Sequence, residues 1–386
     1  MSDVSRASPV ILPDKCVLLG LAPGTGRKKL NVKYNDRTVG TLVHTDGRKI
    51  AFQYDDKWIR DGFSISPFSL PLTHEIYPGG KDTFGGLYAV FNDSLPDGWG
   101  ELLVMRMLAR KGMDYSKLSL LTKLSIISPN GLGGLTYFPS YAENEPRHGT
   151  LDELARQAAA ILENKTPTED LDDIYYLGGS SGGARPKAHI ATDGAEWILK
   201  FPCRLDPPDI GLQEYEANRA AEKCGLRVNG YKLFPSARCS GYFGAKRFDR
   251  NGNRRLHMIS LSALLETSHR LPNLDYMHLF QVISEICANE SDIYEAYGRM
   301  CFNVMYGNKD DHGKNFAFLF DEDAGSYVLS PAYDLTKTPY KPEHEMTVLG
   351  NGSPDVSDLR KITQKLKLSA AKCETTIRTI KTVTEE

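Results

Sequence analysis

The sequence predicts a two-lobed α+β fold. A mixed N-terminal subdomain and a strand-rich part lie over a mostly helical C-terminal lobe. Two observations predict it. GNKDDHGKNFAFLF (Gly307 to Phe320) and SPAYDLT (Ser330 to Thr336) set an aspartate, an asparagine five residues on and, beyond an apolar strand, a lone aspartate. Upstream, a glycine-rich loop (GGSSGGARPKA) feeds a hairpin whose returning strand, WILKFP, carries a lysine. Strand, glycine loop, strand, helix, strand, and then helices leading into an acidic loop, is an order that assembles a phosphoryl-transfer site.

The elements follow in turn. Residues 1–28 read as an irregular N-terminal extension. The first unit spans 29–140. Apolar and polar residues alternate from Lys29 to Tyr54 around Asn35-Asp36 and Asp46-Gly47, which predicts three short antiparallel strands. A Pro/Gly-rich loop (Pro78 to Gly86), a helical pattern from Leu102 to Arg110 and a turn into a strand at NGLGGLTYFP complete the unit. The polar stretch from Ser140 to Gly149 is the expected linker. The ATP-binding part spans 150–255. It holds a helix over Leu151–Asn164, a hairpin turning at Asp193-Gly194, a helix over Gln213–Leu226 and a strand from Tyr242 to Phe248. The C-terminal lobe, 256–386, is mostly helical. Ile293, Tyr297, Met300, Cys301 and Val304 line one face leading into Gly307.

Composition narrows the class. The chain has 386 residues, 41% hydrophobic and 25% charged, enough for two or three core-forming units. A net charge of -2 supplies no global basic field for nucleic acid. Seven cysteines without a CxxC pair suit a reducing cytosol better than a zinc site or a disulfide scaffold. The apolar run from Cys16 to Ala22 is too short to span a bilayer, and no basic leader with a cleavage site is evident. The expectation is a cytoplasmic protein without a membrane partner.

The chemistry concentrates in a few residues. Asp310 is the expected base for a substrate hydroxyl, although the neighbouring Asp311 is equally acidic and spacing barely separates them. Asn315 and Asp334 offer the hard oxygen ligands that magnesium takes beside substrate phosphates. His312 reads as an orienting or packing residue, and Lys314 as a screen for phosphoryl charge or a solvent-facing lysine. Gly178, Gly179, Gly182 and Gly183 would bring backbone N–H groups against phosphates, with Arg185 and Lys187 adding charge at the loop exit. The loop is neither a Walker A nor GxGxxG, and a flexible connector is the alternative. Lys200 in WILKFP can reach phosphates under the loop, or protect a strand edge. Glu214 or Glu216 on the next helix could pair with it, or face solvent. KRFDR (Lys246 to Arg250) could form the edge where adenine meets backbone, or be a basic strand end. NDSLPDGWGELL (Asn92 to Leu103) reads as structural, with Asp97 a helix cap and Trp99 a packing residue.

Six blocks in this order, FGGLYAVFNDSLPDGWG, GGSSGGARPKA, WILKFP, KRFDR, GNKDDHGKNFAF and SPAYDLT, resemble the HipA family of bacterial serine/threonine kinase toxins. The resemblance runs from roughly Lys29 to Lys381. It implies a HipA-like fold and ATP- and Mg2+-dependent phosphorylation of a protein serine or threonine. It places Asp310 on the catalytic aspartate, Asn315 and Asp334 on the magnesium ligands, and Lys200 on the strand lysine. Gly182, Gly183, Ala184, Arg185, Pro186 and Lys187 fall on the phosphate loop, and Lys246, Arg247 and Phe248 on the hinge. His312, Lys314 and Tyr333 complete the implied nucleotide site. Ser180, or the adjacent Ser181, falls on an autophosphorylated serine. The resemblance also implies a HipB-like helix-turn-helix antitoxin, DNA contact mainly through it, and growth arrest by phosphorylation of a cellular protein, in the best-known members an aminoacyl-tRNA synthetase. RLHMISLSALLETS (Arg255 to Ser268) departs from many members by lacking an acidic-aromatic-glutamine block. A small-molecule or lipid kinase and a HipA-like corepressor or binding module are the competing readings.

Overall fold

The computed structural model describes residues 28–45, 49–127, 131–140, 150–163, 177–178 and 182–385. The expected turn at Asp46-Gly47, nearly all of the expected linker, Gly179, Ser180 and Ser181 lie outside them. The alternating N-terminal stretch forms β1 (Lys29–Tyr34), β2 (Arg37–His44) and β3 (Ile50–Tyr54). A fourth strand, β4 (Leu135–Phe138), pairs with β1, giving an antiparallel sheet in the order β3-β2-β1-β4. Period-two alternation is the cause: Leu30, Val32 and Tyr34 of β1 are buried, and the residues between them are not. Asn35 makes the first turn at φ 51°, a left-handed conformation asparagine tolerates.

Helix α1 (Gly98–Arg110) follows, and then α2 (Leu151–Leu162), whose N-terminus is capped by the Thr150 hydroxyl accepting from Glu153 N at 3.2 Å. The glycine-loop hairpin is β5 (Lys187–Thr192) and β6 (Ala195–Lys200), turned tightly at Asp193 and Gly194, both at positive φ. With β7 (Tyr231–Phe234) and β8 (Tyr242–Lys246) it forms an antiparallel sheet ordered β5-β6-β8-β7, and α3 (Ile210–Lys223) connects β6 to β7. In the C-terminal part, β9 (Met258–Ser260), β10 (Ala317–Asp321) and β11 (Ser326–Leu329) make a small antiparallel sheet with the apolar FAFLF segment in its centre. Around it lie α4 (Tyr276–Ile286), α5 (Ser291–Tyr306), α6 (Val356–Lys365) and α7 (Ala370–Glu385).

The apolar cores do not follow the units expected from sequence. The N-terminal sheet shares one core with the C-terminal lobe, where Phe52, Trp58 and Phe63 join Ile259, Phe280 and Phe318. Helix α1, expected within the 29–140 unit, instead packs Trp99, Leu103 and Met107 against Leu154, Ile161, Leu199 and Phe201 of the unit expected over 150–255. These three positions recur every four residues, so they form one stripe, and the stripe lies against the β5–β8 sheet. The chain therefore leaves the first core at about Gly98 and returns to it with Leu121, Leu124, Leu135 and Tyr137.

The seam between the first sheet and the C-terminal lobe is polar as well as apolar. The rings of Phe63 and Phe320 stack at 3.7 Å, and the Tyr327 hydroxyl donates to Ser64 O at 2.7 Å. His257, fully buried, donates from Nε2 to Ile65 O at 2.8 Å. Burial holds its imidazole down at about 4, against 6.5 ordinarily. Between those values the unfolded chain takes up a proton that the folded chain refuses. Stability from this group therefore falls as pH drops, by up to about 1.4 kcal/mol per pH unit. In His257→Gln, whose amide can still donate to Ile65 O, the loss of stability from pH 6.5 to 4 should be shallower than in the wild type. Urea denaturation of both proteins across that window checks it, and parallel curves would count against the assignment.

Candidate active site

Helix α5 ends at Gly307, whose φ of 82° breaks the helix and turns the chain into the acidic loop. Two bonds hold the loop's start: Asn308 Nδ2 donates to Asn303 Oδ1 at 2.9 Å, and Lys309 N donates to Thr338 Oγ1 at 2.7 Å. The adjacent aspartates then part company. Asp311 is buried and accepts from the Tyr276 hydroxyl (2.7 Å), His344 Nδ1 (2.8 Å) and Glu345 N (3.0 Å). Its carboxylate is committed to structure. The Asp310 side chain is 36% exposed and pairs with Lys341 Nζ at 2.6 Å. Only Asp310 of the two faces open space.

Asn315 Nδ2 donates to the Asp310 carbonyl at 2.7 Å, which fixes the amide and leaves Oδ1 as its accepting atom. The Tyr333 hydroxyl donates to Lys314 O, and the Tyr333 ring lies 5.3 Å from that of Phe248. His312 lies 5.4 Å, ring to ring, from His269, and its buried Nδ1 has no hydrogen-bond partner among the described residues.

Lys200 joins this loop to the β5–β8 sheet. Its Nζ donates to both Glu214 of α3 and Asp334. Burial alone would lower the Lys200 ammonium, but the two carboxylates outweigh it and raise it. Burial alone would raise Asp334, but Lys200 and Lys187 hold its carboxyl far below the usual range. Glu214, 2% exposed, is pushed up by burial despite Lys200. Glu216, the other candidate, pairs locally with Arg219. Asp334 sits at φ 53°, a conformation costing on the order of 1–3 kcal/mol outside glycine, which the surrounding contacts must sustain.

The loop residues converge on the same place. Lys187 stands opposite Lys200 in the β5–β6 ladder, and its Nζ donates to Gly182 O. Burial lowers its ammonium. Arg185 Nε lies 3.2 Å from Asp206, and its Nη1 lies 3.7 Å from Glu214. Ala184 is exposed, whereas Pro186 is buried and accepts from Phe201 N at 2.9 Å. Lys246 is exposed at the end of β8. Arg247, expected beside it along the nucleotide edge, is the exception. Its side chain is fully buried on Asp249 (2.6 Å) and the Gly131 carbonyl (2.8 Å), and its N–H donates to Glu196 O at 2.8 Å, so Arg247 is committed to the fold. Sequence reasoning misses Lys341 and Asp206, which no motif flags, and reads Asp97 only as a cap.

Residues 179–386 match the model of the HipA-like C-terminal domain, and residues 30–138 match that of the HipA N-terminal domain. The chain belongs to the HipA-like family. Two relatives from Sinorhizobium fredii carry the names "Putative kinase Y4dM" and "Putative kinase Y4mE". They are 26% and 24% identical over 335 and 348 residues, covering 81% of this chain and 78% of each relative. A solved complex of HipA, HipB and operator DNA from Shewanella oneidensis MR-1 contains a chain of the same fold. It matches at a TM-score of 0.68 and 19% identity, over 91% of this chain and 88% of that one. Among the described residues of this HipA-like chain, no helix is long and apolar enough to cross a membrane.

The Lys200 triad makes a stability prediction. Lys200→Met removes the cation between two carboxylates and should cost about 3–5 kcal/mol at neutral pH. Glu214, already raised by burial, should rise further in the variant. A raised carboxyl contributes stability below its unfolded value and loses it as pH climbs through the folded one. The deficit should therefore shrink on acidification, which melting curves of wild type and variant compared at acidic and neutral pH would show. A deficit independent of pH would contradict the arrangement.

Proposed function

We propose that this HipA-like protein is an ATP- and magnesium-dependent protein kinase that phosphorylates serine or threonine hydroxyls, with Asp310 as its base. The observation that carries the reading is the Lys200 bridge from Glu214 to Asp334, standing beside a loop in which only Asp310 of the aspartate pair is open. The donor set fits a nucleotide triphosphate. Lys187, Lys200 and Lys314 would hold phosphate oxygens, with Arg185 behind them. The strand end at Lys246 and Phe248 would receive the base. Asn315 Oδ1 and Asp334 are the two protein oxygens for magnesium, which with bound phosphates is a typical number. When bound, the metal–nucleotide supplies the phosphoryl group and neutralises charge developing on it. Asp310 accepts the proton as the substrate oxygen attacks; the new O–P bond forms and the bond to the nucleoside diphosphate breaks. His312 orients the loop, and Tyr333 fixes the Lys314 backbone.

Family membership and the fold shared with a chain of a HipA–HipB–operator complex support a toxin role beside a HipB-like helix-turn-helix antitoxin, with DNA reached mainly through that partner. Growth arrest follows on this reading from phosphorylation of a cellular protein in the cytoplasm, an aminoacyl-tRNA synthetase being one candidate. Ser180 or Ser181 is the proposed self-modified residue, whose phosphate would displace the loop by adding about two negative charges.

Transfer of label from ATP with Mg2+ tests the activity. Asp310→Asn should lose transfer by about 10²–10⁴-fold and melt like the wild type. Asp311→Asn should lose stability first, by about 1–3 kcal/mol or more, because it disturbs a buried acceptor of four bonds. The reverse pattern would move the base to Asp311. Label appearing on a small molecule or lipid but on no protein would overturn the protein-kinase reading.

A further inference from the structure

Asp97 sits at the N-cap of α1 but makes no capping hydrogen bond. An aspartate cap is typically a stabilising contact, so its carboxylate is engaged elsewhere. Oδ1 accepts from Gly183 N of the glycine loop at 2.6 Å, and Oδ2 accepts from Lys314 Nζ of the acidic loop at 2.7 Å. His269 Nε2 stands 3.9 Å away. The two neighbours complete a clamp. Trp99 N donates to Gly183 O at 2.9 Å, so Gly183 is gripped by both of its backbone polar groups. The Trp99 indole donates to Lys187 O at 3.1 Å, holding the far side of the same loop. Gly98 lies at φ 48°, and a Cβ there would fall 2.4 Å from Gly183 O, so the approach requires glycine. The carboxylate stays charged: burial would raise it, but Lys314 and Gly183 N–H outweigh burial and lower it. Behind it, half-buried Asp93 accepts from Ser260 N at 2.8 Å and Oγ at 3.0 Å, which pins the turn before α1 to the C-terminal lobe.

We propose that Asp97, with Gly98 and Trp99, is the positioning element of the nucleotide site, fixing the glycine loop at a set distance from Lys314. This rests on the kinase reading. The ammonium of Lys314 has three donors, so one bond to Asp97 aims it and leaves two for a phosphate. One carboxylate is thus bonded to both loops at once. The phosphate site is then completed by the turn that leads out of the N-terminal unit, and nucleotide affinity depends on that unit.

Calorimetric binding of Mg-ATP and steady-state transfer test this on the full chain. Asp97→Ala should raise Kd and KM for ATP by roughly 10- to 100-fold. Asp97→Asn keeps an acceptor for Gly183 N–H but loses the charge facing Lys314, so it should fall between. In the Asp97→Ala/Lys314→Met double variant the losses should not add, since both singles break one contact. If Asp97→Ala does not fold, Asp97→Asn and the cycle built on it decide the question. Affinity equal to or above wild type in the folded variants overturns the proposal, the second because it would make the carboxylate a competitor for phosphate. A wild type that fails to bind Mg-ATP would instead overturn the kinase reading beneath it.

Discussion

The ammonium of Lys200 between the carboxylates of Glu214 and Asp334 is the constraint on which the rest depends. It binds β6, α3 and the segment after β11 at one point, with Lys200 and Glu214 buried and Asp334 37% exposed at the opening. Neither buried charge is tolerable there alone, because an unpaired buried ion costs several kcal/mol. The strand must therefore present its lysine inward, the helix must turn Glu214 rather than Glu216 to it, and Asp334 must accept a left-handed backbone to arrive. The two parts of the molecule meet in one relative position because the charges admit no other.

The same logic separates residues that look alike in sequence. Asp310 and Asp311 differ by one position, yet the tyrosine, histidine and backbone amide that close around Asp311 come from α4 and from a segment 33 or more residues downstream. Arg247 and Lys246 differ by one position, yet one is locked on Asp249 and Gly131 while the other remains exposed. Each is a choice between faces, made by tertiary partners.

That is also where legibility in the sequence stops. Period-two alternation marks β1 to β3, the Asp193-Gly194 turn marks the hairpin, and the apolar stripe ending in Gly307 marks the helix that delivers the acidic loop. These are local signals. Helix α1 goes to the wrong core on sequence grounds because its stripe says only that it is buried, not against what. It also begins at Gly98, four residues before the helical pattern becomes recognisable, since Gly98 and Gly100 mask the start. Asp97 in a turn-dense block before a helix has the signature of a cap, and nothing local reveals a lysine 217 residues away. Lys341 carries no motif at all.

The charges of the site add a final step. Arg185, Lys187, Lys200, Lys314 and Lys341 supply five cations, and Asp97, Asp206, Glu214, Asp310, Asp334 and Glu345 face them as carboxylic groups. The cations are already largely neutralised by the protein itself. A triphosphate entering on its own would meet the like charges of Asp334 and Asp310. On the proposed function, a divalent cation does more than assist the chemistry. It supplies charge that five basic side chains, each already facing a carboxylate, do not, and Asn315 serves beside Asp334 because an amide oxygen ligates without adding a further negative charge. The paired state then protects the fold, and the metal–nucleotide is the form in which the substrate can enter.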